Sequence, residues 1–295
     1  MPLAARAIAI TALAAVALAS SLASAQSMGT NQATSAPLST DSAGKAANIA
    51  VSSVFRVMCH AKGNPSSNFT SFGTGFLHKS GLLVTAAHVS NGCDRIAISL
   101  PDGTLSPANV SFSDDRLDLS ALKPITQITG TPLQVSHDVP LNLGEQIAIW
   151  GFPAGYIGRF PMVSVGYFSG GDAVPVKTAN GVEMVSQMVV NAAVNHGNSG
   201  GPVVLVGTGE VIGIADNKIV PLSAEAVAAL DALQTQSNGF MYQANMPDGS
   251  TKSFSEAQVV AMVLEELRQQ VQLVVGHAVW SGDLRKFLEA NKIDP

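Results

Sequence analysis

From Ile49 onward the chain is interrupted every few residues by Gly, Pro, Asn or Asp, and the runs between the breaks are short and rich in β-forming residues. That rhythm excludes long helices and βαβ alternation over most of the length and predicts an all-β sandwich or barrel. Candidate strands are Ala50–His60, Ser71–His78, Leu82–Ala86, Arg95–Leu100, Leu105–Phe112 and Leu119–Leu122. A second series follows at Gln146–Gly151, Pro161–Ser169, Val182–Val190, Pro202–Val206, Val211–Ala215 and Val274–Ala278. Between the series, Pro124–Leu143 has no strong periodicity and reads as a linker. The expected halves are residues 48–140 and 141–295. An apolar content of 46% against 13% charged residues is enough for a substantial core.

Helical signals come late. Ser223–Leu233 is Ala-rich. Ser253-Phe254-Ser255-Glu256 has the form of a capping box, and Val260, Val263, Leu264, Leu267 and Val271 then recur at helical spacing. Phe240–Met246 and Thr251–Phe254 flank Pro247-Asp248-Gly249, a hairpin-like turn. Leu284–Asn291, started by Ser281 or Asp283, reads as a closing helix.

The first 25 residues have the features of a secretory signal peptide. Arg6 precedes an apolar run from Ala7 to Ala19, and Ala23-Ser24-Ala25 forms a small-x-small cleavage pattern before Gln26. The apolar run is too short for a membrane span, and no Cys lies near the cleavage site to take a lipid anchor. Export to a bacterial periplasm or the extracellular space is the expectation. Residues 26–47, rich in Ser, Thr and Ala, read as a flexible leader.

Net charge is −5 and there is no Lys/Arg cluster, which argues against a nucleic-acid partner. The six histidines, His60, His78, His88, His137, His196 and His277, show no paired ligand spacing with the cysteines, so no metal site and no cofactor is expected. Cys59 and Cys93 form one disulfide or remain as two buried thiols; an even count in an exported chain favours the bond.

Chemistry concentrates around Gly197-Asn198-Ser199-Gly200-Gly201-Pro202. A tetrahedral oxyanion needs fixed N–H donors at close range, and a Cβ would crowd that approach. Ser199 is the candidate nucleophile, with the N–H groups of Gly197 and Ser199 as donors. A serine nucleophile needs a base, and His88 follows an apolar run that ends on the small pair Ala86-Ala87. The base needs an orienting carboxylate. Asp118, between Leu117 and Leu119, opens an apolar strand and would be partly buried.

These segments, with Gly73-Thr74-Gly75-Phe76 and Val211-Ile212-Gly213-Ile214, resemble the chymotrypsin-like (trypsin-like) serine peptidases, most closely the bacterial branch that includes the HtrA proteases. The resemblance runs over Ile49–Val220 and Val274–Asn291. It implies two perpendicular six-stranded antiparallel β-barrels with a cleft between them. It also implies His88 as general base and acid, Asp118 as its orienter, Ser199 as nucleophile, and an oxyanion hole at Gly197 and Ser199. In this family a disulfide often brackets the histidine loop, where Cys59 and Cys93 stand.

The chain departs from the family in two ways. No segment for a PDZ domain is read, and residues 221–273 form a partly helical insertion carrying Phe240, Met241 and Tyr242, either a surface element or a lid. The expected substrate is a polypeptide. Its pocket would be lined by Ala193, Val194, His196, Asp216, Asn217 and Lys218, and the uncharged Ala193 predicts cleavage after a small or medium apolar residue. Against that expectation, the carboxylate of Asp216 could still reach the pocket. Two other readings compete. A catalytically silent binding protein could use the same scaffold. An α/β-hydrolase esterase could use Ser199, Asp231 and His277, but it would need a strand-to-helix turn at the serine.

Overall fold

A computed structural model describes residues 51–63, 68–137, 140–178, 181–218, 224–245, 250–270 and 274–295. The signal peptide, the leader and the Pro247-Asp248-Gly249 turn lie outside the described residues.

The first barrel contains β1 (Val54–Ala61), β2 (Ser71–Leu77), β3 (Leu83–Ala86), β4 (Cys93–Ser99), β5 (Leu105–Asp114) and β6 (Leu119–Pro124). Its strand order is β1-β2-β3-β6-β5-β4, and it closes because β1 pairs with both β2 and β4. The second contains β7 (Gln146–Gly151), β8 (Met162–Thr178), β9 (Gly181–Asn191), β10 (Pro202–Leu205), β11 (Val211–Lys218) and, after an insertion, β14 (Gly276–Trp280). Its order is β10-β11-β14-β9-β8-β7, closed by β7 on β10. Closure leaves neither sheet with an unpaired edge, and every strand pairing is antiparallel.

The strand predicted to follow Ser199 is β10, so the serine sits on a strand-to-strand turn. That removes the α/β-hydrolase reading, which requires a helix there. The expected linker is mostly exposed but anchored at a few buried positions. Ile128, Leu133 and Val135 are in the core, and Val135 forms a parallel bridge with Val211. Its lack of periodicity reflects irregular backbone that is nevertheless packed. One hydrophobic cluster joins the barrels, with Phe76, Val84 and Leu119 from the first meeting Trp150, Val204 and Ile214 from the second. Leu284, Phe287 and Leu288 of the closing helix α4 (Ser281–Ala290) complete it. The short helix α1 (Ala87–Ser90) follows β3 directly.

The insertion between β11 and β14 holds α2 (Ala224–Thr235), the hairpin β12 (Met241–Asn245) and β13 (Thr251–Ser255), and α3 (Glu256–Gln270). The capping box at the start of α3 is shifted by two residues from the expected one. Gln258 N–H donates to Ser255 Oγ at 3.2 Å, and Ser255 N–H donates to Gln258 Oε1 at 2.9 Å. Ser253 is still strand, so it does not cap. The apolar positions Val260, Val263, Leu264 and Leu267 are exposed, as are Phe240, Met241 and Tyr242.

Candidate active site

The turn from β3 into α1 carries His88. Ala86 and Ala87 are buried, so backbone packs closely behind the ring. Asp118 closes the loop between β5 and β6 and holds this turn three times. Its carbonyl accepts from Ala87 N–H at 3.0 Å, Oδ1 from His88 N–H at 2.8 Å, and Oδ2 meets His88 Nδ1 at 2.6 Å. Asp118 has φ of 54°, in the left-handed region where Asp is among the few tolerated side chains. The strain is held by three hydrogen bonds, as is common where geometry serves a site. Burial pushes the His88 imidazole down, but the hydrogen bond and charge of Asp118, with the charge of Asp216, outweigh it and hold His88 above its ordinary value.

Ser199 stands on the glycine turn before β10. Gly197 and Gly200 have φ of 89° and 83°. A Cβ on Gly197 would collide with the Phe152 carbonyl, and one on Gly200 with the Thr74 carbonyl and the Thr85 hydroxyl. The glycines thus serve both conformation and close backbone approach.

Thr74 on β2 organises the turn. Its hydroxyl donates to Gly197 O at 2.6 Å and accepts from Phe152 N–H at 3.0 Å, and its N–H donates to Ser199 O at 2.9 Å. The His196 carbonyl accepts from Ala154 N–H at 2.6 Å, which fixes the peptide preceding Gly197. Among the described residues, no hydrogen bond takes up the N–H of Gly197 or of Ser199. The Ser199 hydroxyl donates its one proton to Asp216 O at 2.8 Å.

The structure brings Asp216 to His88 and Asp118. Its side chain, expected along the pocket wall with Asn217 and Lys218, turns to the carboxylate of Asp118 and accepts from Gln187 Nε2 at 2.7 Å. The physical reason is that a carboxyl buried at this point of β11 must find its polar partners inside the protein. Of the other pocket candidates, Ala193 is half-buried and His196 exposed, while Val194 is buried in the core of the second barrel. The side chains of Asn217 and Lys218 lie outside the described residues. Asp231 lies on α2 and His277 on β14.

His88, Asp118 and Asp216 form the one cluster of potential cation ligands among the described residues. Their atoms are engaged with one another and with Gln187, so the arrangement is a hydrogen-bond network. Cys59 and Cys93 are joined in a disulfide between β1 and the start of β4. It encloses β2, β3 and His88.

Gln187 and Thr74 were not singled out from sequence. Gln187 had a signal, since it is polar and sits two residues from both Val185 and Val189 in a strand. Thr74 stands in the Gly73-Thr74-Gly75-Phe76 segment, where no local pattern marks its hydroxyl as an anchor for a turn more than a hundred residues away.

Residues 73–214 match the profile of the trypsin-like peptidase domain. The chain is 34% identical over 157 residues to serine protease HTRA4 of Mus musculus, covering 51% of this chain and 30% of that protein. It is 32% identical over 146 residues to putative serine protease HhoA of Synechocystis, covering 48% and 36%. The chain therefore spans about a third of the length of these relatives. Among solved structures, Rv3671c protease from M. tuberculosis in its active form superposes with a TM-score of 0.53 at 20% identity, over 66% of this chain and 86% of that one. At that identity the likeness is one of fold.

Proposed function

We propose that this chain is an exported serine endopeptidase of the trypsin-like, HtrA-related kind, acting through Ser199, His88 and Asp118; the profile match over residues 73–214 and the similarity to HtrA-type serine proteases support the reading. The observation that carries the reading is the bidentate hold of Asp118 on His88. It fixes the imidazole with Nδ1 toward the carboxylate and leaves Nε2 for a serine proton.

In the reaction, Ser199 Oγ leaves the Asp216 carbonyl, gives its proton to His88 Nε2 and attacks the substrate carbonyl carbon. The developing oxyanion is received by the N–H groups of Gly197 and Ser199. His88 returns the proton to the leaving amine, the peptide bond breaks, and water hydrolyses the acyl-enzyme by the reverse proton route. His88 must be neutral to begin, and its stabilised imidazolium is the form required midway.

The polypeptide would be cut after a small or medium apolar residue. Ala193 brings no charge to the pocket, and the Asp216 carboxyl is engaged elsewhere. The disulfide supports an oxidising compartment outside the cytoplasm, a bacterial periplasm or the extracellular space. No helix among the described residues is long and apolar enough to cross a membrane.

Fluorophosphonate labelling tests the activity. Wild type should label at Ser199, with labelling lost in Ser199→Ala and His88→Ala. A folded wild type that does not label would sink the enzyme reading and favour a binding protein on this scaffold. Kinetics on a peptide library test the pocket, and an Arg or Lys preference would refute the apolar assignment.

A further inference from the structure

Asp216 belongs to the second barrel, yet its carboxyl group reaches the His–Asp pair of the first. One carboxyl oxygen from each aspartate and a ring nitrogen of His88 all lie within 4.8 Å of one another. Asp216 is only 6% exposed. Two carboxylates this close in a poorly solvated place resist joint ionisation, and a shared proton relieves the repulsion.

The partners indicate which group holds the proton. Asp118 already accepts two hydrogen bonds from His88. Asp216 accepts one, from Gln187 Nε2, which leaves its second oxygen for a proton. Burial, then the charge of Asp118, push the Asp216 carboxyl up to about 6. Gln187 and His88 pull it back, and its hydrogen bond to Asp118 adds to the rise.

Resting on the peptidase reading above, we propose that Asp216 is a positioning residue for the Ser199–His88–Asp118 triad. Protonated, it donates a hydrogen bond to Asp118 and holds that carboxylate against His88. Ionised, it adds a second negative charge beside His88 and raises the pH at which the imidazole becomes a free base.

The titratable groups facing Asp216 are Asp118 and His88, with the neutral Gln187. The neighbouring strands β3 and β10 carry none. On β14, His277 has Asp172 as its charge partner. On α4, Asp283 pairs with Lys286 and Arg285 with Glu289. The serine's resting bond is to the backbone carbonyl of Asp216, so a side-chain substitution leaves that bond in place and isolates the carboxyl.

The test is the rate of fluorophosphonate labelling against pH for wild type, Asp216→Asn and Asp216→Ala. Wild type should show two ionisations on its acidic limb. Asp216→Asn, which keeps a donor and never ionises, should show one, moved to lower pH by roughly one unit. Asp216→Ala, which loses the donor, should fall about tenfold below Asp216→Asn on the plateau. An Asn limb that superposes on wild type, or an Ala plateau equal to that of Asn, would overturn the proposal.

A titration of the wild type by NMR, following the His88 ring nitrogens and the Asp216 carboxyl carbon, serves if a variant does not fold. Coupled two-step curves support the assignment. A His88 curve with one step and an Asp216 carboxyl that titrates near 4 refute it. Failure of the peptidase reading would look different, since wild type would then not label at any pH while the NMR titration would still report on the pair.

Discussion

The hydroxyl of Ser199 donates to the carbonyl oxygen of Asp216 at 2.8 Å. In the resting protein the hydroxyl proposed as nucleophile is therefore held by backbone of the cleft strand β11, and the proposed attack requires Oγ to turn toward His88. The imidazole is already fixed by Asp118, so removing that carboxylate should cost far more than the loss of one half-buried polar contact. Asp118→Asn should keep the fold and lower kcat by about 10⁴-fold, because the wrong imidazole tautomer is then stabilised. Steady-state kinetics with circular dichroism as a fold control check this. A loss below about tenfold would mean that His88 is not the base.

Thr74 ties three pieces of the site together through one side chain and one N–H. Thr74→Val keeps the shape and removes the hydroxyl, leaving Gly197 O and Phe152 N–H without their partner. Each buried group left unmatched costs about 1–3 kcal/mol. The expected outcome is a lower Tm together with a fall in kcat at nearly constant KM, because the Gly197 peptide loses its anchor. Thr74→Ser should restore both. Thermal melts and kinetics on the pair decide it, and a change in Tm without any change in kcat would limit Thr74 to a structural part.

The barrels were legible because their strands announce themselves through alternation and turn residues. β3 and β10 were found even though they are only four residues long, since Gly, Asn and Pro bound them. His88, Asp118 and Ser199 were legible as candidates because each sits on a local pattern. Contacts between barrels were not. The fate of the Asp216 side chain depends on which way β11 faces across the cleft, and no local spacing records that. Pro124–Leu143 reads as a linker because irregular backbone has no period, and no spacing announces that Leu133 and Val135 are buried within it. The capping box of α3 was misplaced because Ser253 and Ser255 both fit the pattern. Both are paired in the hairpin, and what separates them is where the strand ends, since Ser255 is its last residue and the helix starts at Glu256.

The Cys59–Cys93 bond closes a loop with a sequence separation of 34 residues around the histidine turn. Loop-closure entropy assigns such a cross-link about 4 kcal/mol, and measured cases commonly fall nearer 2–4. The Cys59→Ala, Cys93→Ala double variant should unfold at lower denaturant concentration by that amount. It should also lose activity at temperatures where wild type is stable. Urea titration with and without reductant checks it. A reduced wild type as stable as the oxidised form would contradict the stabilising part given to the bond.

Acid stability sets two buried groups against each other. His78 is 1% exposed, and burial, helped by the charge of Lys79 and opposed by Asp294, pushes it from 6.5 down to about 4. A depressed histidine favours the folded state above its unfolded value and loses that advantage as pH falls, here about 3 kcal/mol between pH 7 and 4. Asp216 runs the other way. Raised from 3.8 to about 6, it takes up a proton in the folded state first, so stability gains about 2 kcal/mol over the same range. The two contributions nearly cancel, and they involve no common partner. As pH falls from 7 toward 4, His78→Gln should therefore gain stability relative to wild type, and Asp216→Asn should lose it. Chemical denaturation at pH 7, 5.5 and 4 for both variants checks the signs. Variants that follow the wild-type curve in parallel would show that neither group governs the pH response.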